Sequence, residues 1–142
     1  MLCGLGLLGL LSINALASWG IKEIQEDYRG FPEIPPGVMG MLVIAVGAAF
    51  APVAEELFFR EALLCRVLVA TPRPLAILVT SLGFGALHLA AGGALLFLAL
   101  SAMGVVLAVV RLRTDSLGAA ILIHAANNLA ALLLASASGG LG

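Results

Sequence analysis

The chain has 142 residues, of which 62% are hydrophobic and 11% charged, whereas soluble domains run at roughly 25% charged. A mean hydropathy of +1.16 means more apolar surface than one domain of this length can bury, which excludes a water-soluble domain and assigns the excess to lipid. The net charge of -1 leaves no basic surplus for nucleic acid, and Cys3 and Cys65 show neither metal-ligand spacing nor a disulfide pattern.

The charges fall into three clusters, Lys22 to Glu33, Glu55 to Arg73 and Arg111 to Asp115. The uncharged stretches between them are long enough for about five membrane-spanning helices. In chain order these are Met1–Trp19, Val38–Ala70, Leu75–Ala91, Ala94–Val110 and Leu117–Ala137, with Gly92-Gly93 as the break in the longest stretch. The expected fold is therefore an all-α, polytopic transmembrane bundle. Strands are not expected, because Leu/Ala-rich runs without period-2 alternation suit helices and the segments are too few for a barrel. Residues 1–37 form an N-terminal membrane helix and polar loop, and residues 38–142 form the core.

The first element has two readings. Ala15-Leu16-Ala17 could end a signal peptide, but no basic residue precedes the apolar run, which continues to Trp19, an interfacial residue type. A retained helix is the expectation. Proline and glycine then mark the loops at 31–37 and 71–74. Arg66, Arg73, Arg111 and Arg113 fall on one face of the alternating helices and place it in the cytoplasm.

The second helix carries Glu55-Glu56 and, four residues after the latter, Arg60. Charges in a membrane helix are costly and normally face a bundle interior with partners. Glu56 and Arg60 are one turn apart, acid first, the favoured order for a pair, and Glu55 lies about 100° away, free for another task. The alternative is that the helix ends near Ala54 and all three are solvated. Farther along, Phe84 with His88, and His124 with Asn128, share helix faces at four-residue spacing; either histidine could equally be a structural link between helices. Asn127 reads as packing or capping, and Cys65 as a buried filler residue.

Depth connects these residues. Counted back from the cytoplasmic turns, Glu55 lies at about 22 Å, His88 at about 20 Å and Asn128 at about 16 Å, with His124 one turn shallower. This convergence requires the second helix to run unbroken to Ala70, which makes it unusually long. A carboxylate in a partly dehydrated cavity suits general-base work on water, so Glu55 is the candidate base. His88 would hold the same water or pass its proton, and His124 with Asn128 would donate to an oxyanion. Zinc remains an alternative, since Glu55, His88 and His124 are also a plausible ligand set, although His-Glu-x-x-His is absent.

Three ordered motifs resemble those of the CAAX protease and bacteriocin-processing membrane proteases, the CPBP or Abi family, which includes the type II CAAX prenyl endopeptidases. Glu55-Glu56 with Arg60 resembles Glu-Glu-x-x-x-Arg, Phe84 with His88 resembles Phe-x-x-x-His, and His124 with Asn128 resembles His-x-x-x-Asn/Asp. The resemblance covers about residues 38–135. It implies a multi-pass intramembrane endopeptidase of a prokaryotic plasma membrane, acting on membrane-associated or CAAX-like peptides without a cofactor. It further implies that Glu55 and His88 activate water, His124 and Asn128 stabilise the oxyanion, and Arg60 positions the glutamates. A non-catalytic membrane partner, such as an immunity or regulatory protein that uses the cluster to lock its helices, is the reading from a different class.

Overall fold

A buried line of residues at four-residue intervals, Ala48, Pro52, Glu56, Arg60 and Leu64, organises the longest helix and fixes where its polar groups point. In the computed structural model, which describes residues 37–139, this helix, α1, spans Val38–Ala70 without interruption. In a regular α-helix each four-residue step drifts about 40° around the axis. Here two stretches with wider, i→i−5 hydrogen-bonded turns, Val46–Phe50 and Leu57–Leu63, offset the drift. Pro52 lacks an N–H for the Ala48 carbonyl, which accounts for the widened turn just before it. The alternative in which the helix stops near Ala54 does not hold.

Thr71 leaves α1 in an extended conformation while its hydroxyl donates to the Val67 carbonyl, and Pro72 precedes α2, Arg73–Ala86. Helix α3 follows at Leu89–Thr114. Two expected bounds change. The break between them falls at Leu87-His88 rather than after Ala91, so His88 stands at a helix junction instead of within a helix. Gly93, at the expected break, has φ +63, a value suited to glycine, and the membrane-length part of α3 begins there. Asp115 turns the chain in a left-handed conformation, and the Ser116 hydroxyl accepts the Ala119 N–H, capping the start of α4, Leu117–Gly139.

Every regular element among the described residues is a helix. Two helices, Val38–Ala70 and Gly93–Thr114, are long and apolar enough to cross a membrane, and Arg73–Ala86 and Leu117–Leu133 are shorter apolar helices. The expected helix Met1–Trp19 lies outside the described residues.

Packing depends on small residues where α2 meets α3. A Cβ at Gly85 would meet the Phe97 carbonyl at 2.6 Å and also the Ser101 hydroxyl, and one at Gly104 would meet Ser81 Cα at 3.0 Å. Such close approach maximises van der Waals contact where no hydrophobic force favours association. Leu64, Ala76 and Ala108 form one apolar cluster across α1, α2 and α3, and Met103, Leu107 and Ala120 join α3 to α4. Large apolar side chains such as Phe50, Val69 and Leu122 lie outside. Cys65 is also exposed, contrary to the expected buried filler, because it follows Leu64 by one residue and so turns about 100° away from the buried line.

Candidate active site

Glu56 and Arg60 are the innermost charged groups, at 0% and 2% exposure. Arg60 Nη1 lies 3.0 Å from Glu56 Oε1, but no N–H of that nitrogen aligns for a hydrogen bond, so charge attraction carries the contact. The aligned bond from Arg60 runs elsewhere, from Nη2 to the Gly104 carbonyl on α3 at 3.2 Å. The guanidinium also stands 4.6 Å from the centroid of the Phe84 ring, a cation–π contact. Ion pair, carbonyl and aromatic ring together compensate a charge that would otherwise be severely penalised at this depth.

His124, buried on α4, continues the network. Its Nδ1 is 2.9 Å from Glu56 Oε1 and its Nε2 is 3.6 Å from Glu55 Oε2. A carboxylate only accepts, so Nδ1 carries hydrogen toward Glu56. The Glu55 contact is longer than a hydrogen bond. Glu55 differs from its neighbour in being 29% exposed, and it therefore presents a carboxylate at the edge of the site while Glu56 is sealed within it.

Phe84 is the hub. Its ring makes edge contacts with Phe59 at 5.2 Å and His124 at 5.5 Å and a tilted contact with His88 at 5.4 Å, so one buried ring separates and positions both histidines. His88, half-buried, turns Nδ1 to the Phe84 carbonyl at 3.1 Å. That oxygen can only accept, which leaves Nε2 of a neutral His88 as a free lone pair. Asn128 donates from Nδ2 to the Gly47 carbonyl on α1 at 3.0 Å, which occupies one of its two N–H bonds and ties α4 to α1.

Of the six residues expected to form the site, Glu55, Glu56, Arg60 and His124 are thus in one contiguous network, His88 joins it through Phe84, and Asn128 is anchored on the Gly47 carbonyl. Sequence reasoning missed the carbonyls of Gly47 and Gly104, since a main-chain acceptor has no side-chain signature. Asn127, expected as packing or capping, lies inside the bundle. That residue is 7% exposed, and its Oδ1 is buried without a hydrogen-bond partner. Among the described residues no three His, Cys, Asp or Glu side chains are grouped so as to hold a metal ion.

The family model of the type II CAAX prenyl endopeptidases, Rce1-like, matches residues 37–130, a span that contains every residue of this network. The chain belongs to that family. It is accordingly a membrane protein of a protease family. No curated protein and no solved structure gives a significant match to the chain.

Proposed function

We propose that the chain is a glutamate-dependent intramembrane endopeptidase that cleaves membrane-associated, CAAX-like peptides. The observation that carries this reading is the asymmetry of the two glutamates: Glu56 is buried between Arg60 and His124, whereas Glu55 keeps a partly open carboxylate facing His124 Nε2. Water held between Glu55 and the free Nε2 of His88 gives its proton to Glu55 as its oxygen bonds to the scissile carbonyl carbon. The oxyanion takes hydrogen bonds from His124 Nε2–H and from the second N–H of Asn128. The C–N bond then breaks as the proton passes, through Glu55 or His88, to the leaving amine.

Both nitrogens of His124 face carboxylates, an arrangement that suits the ring to donating hydrogen bonds. The reaction is proposed to need no metal.

The test incubates detergent-purified wild type and Glu55→Gln with a farnesylated CAAX heptapeptide and other membrane peptides and reads products by mass spectrometry. Wild type should yield a defined cleavage and Glu55→Gln none, with helical content and thermal unfolding unchanged. Equal cleavage by both proteins would overturn the assignment of Glu55. Loss of folding in Glu55→Gln would instead favour a cluster that merely locks the helices.

A further inference from the structure

Two adjacent asparagines on α4 have different fates. Asn128 spends an N–H on the Gly47 carbonyl of α1. Asn127 turns about 100° away from it, on the inward stripe of Ala120 and His124, at intervals of four and three residues. Asn127 is more than nine-tenths buried, and its Oδ1 has no partner. An unpaired amide oxygen in this position is costly, and the mechanism above does not use it.

Its height is informative. Helices α2 and α4 rise from the same end, since the turns at 71–72 and 115–116 precede their first residues, but α4 starts higher, where Arg111 joins Asp115 to Glu61, nine residues before the last residue of α1. At 1.5 Å per residue, Asn127 stands about 4.5 Å above His124, whose ring meets Phe84, and His88 stands about 6 Å above Phe84. Asn127 therefore lies one turn beyond His124, at about the height of His88.

We propose that Asn127 is a substrate-binding residue that pairs with the main chain of the peptide to be cleaved. The inference rests on the protease reading. A primary amide offers a donor and an acceptor on one edge, and an extended peptide residue presents its own N–H and C=O on one edge, so the two are complementary. The pairing also answers a requirement of the bilayer, where a substrate backbone finds no water and must have its polar groups satisfied by protein. The contact is independent of substrate side chains and so confers affinity for an extended conformation rather than for a sequence.

The test uses the full chain in detergent with a farnesylated CAAX heptapeptide and a set of analogues in which one backbone amide at a time is replaced by an ester, which removes a single N–H. Asn127→Leu should lower kcat/KM on the all-amide peptide by about five- to tenfold, the effect of one or two lost hydrogen bonds. In wild type one ester analogue should show a similar loss, and Asn127→Leu should add nothing to it. If Asn127→Leu does not fold, Asn127→Ala, which removes the amide without adding bulk or charge, should show the same loss and likewise add nothing to that of the ester. A loss that is uniform across all analogues, or no loss at all, overturns the proposal while wild type still cleaves and Glu55→Gln does not. Absence of cleavage by wild type, or cleavage that survives Glu55→Gln, overturns the protease reading and this inference with it.

Discussion

Glu56 Oε1 receives both Arg60 Nη1, at 3.0 Å, and His124 Nδ1, at 2.9 Å. One carboxylate oxygen thus joins a cation on its own helix to a histidine on another, in a place from which solvent is excluded. The pair on α1 and the packing of α4 against it are consequently one structural unit.

Removing Glu56 leaves the Arg60 charge buried without its carboxylate, and removing Arg60 leaves the buried Glu56 with His124 alone. Glu56→Gln and Arg60→Gln should each lower stability by about 3–5 kcal/mol, whereas Glu55→Gln, at a partly exposed carboxylate, should cost much less. Thermal unfolding in detergent, followed by circular dichroism, compares the three; equal stabilities would mean that the Glu56 and Arg60 side chains are solvated.

Phe84→Ala removes the ring shared by Phe59, Arg60, His88 and His124. The expected loss is about 3–5 kcal/mol of stability, together with most of the peptide cleavage. Phe84→Leu keeps apolar volume but lacks the ring face that the Arg60 guanidinium approaches, so it should fold better than Phe84→Ala and still cleave more slowly than wild type. Full activity in Phe84→Leu would show that volume alone matters there.

Neighbouring glycines on α2 should respond in opposite directions. A Cβ at Gly83 meets only Phe59 Cε1, at 3.8 Å, so Gly83→Ala should be neutral or stabilise by up to about 1 kcal/mol through helix propensity. At Gly85 the added atom runs into α3 main chain, and Gly85→Ala should destabilise by about 1–3 kcal/mol or more. Unfolding midpoints of the two variants give the answer, and matching midpoints would contradict the close α2–α3 contact.

Prolonged chelation should leave cleavage intact, and elemental analysis of active protein should find less than stoichiometric zinc. Activity lost to a chelator and restored by zinc alone would replace the metal-free scheme with one in which zinc supplies the activated water, leaving the family assignment untouched.

Much of this organisation was legible in the sequence because buried charges in an apolar chain are costly enough to be informative. The spacing of Glu56 and Arg60 was sufficient to anticipate their pairing, and the convergence in depth with His88 and His124 required the unbroken α1 that the structure has. The helix break was read a few residues late. Gly92-Gly93 carries the stronger local signal, yet α2 ends at Ala86, where the His88 ring turns back to the Phe84 carbonyl and closes the end of the helix. Cys65 departs from expectation for a different reason. Widened turns change which residues of α1 face inward, and whether a buried amide is partnered depends on contacts between helices that periodicity does not encode.

Three of the site's polar side chains are held by main-chain oxygens: Arg60 by Gly104, Asn128 by Gly47 and His88 by Phe84. A carbonyl survives any substitution at its own residue that leaves the backbone in place, so these anchors tolerate sequence drift that would abolish a side-chain partner. At position 47 the constraint is weak, because an added Cβ would meet only Leu132 Cδ1 at 3.6 Å. At position 104 it is tighter, since the same added atom would press on Ser81. Lineages carrying this site can therefore diverge widely in the helices around it while its polar side chains retain their bearings, with position 104 expected to vary far less than position 47.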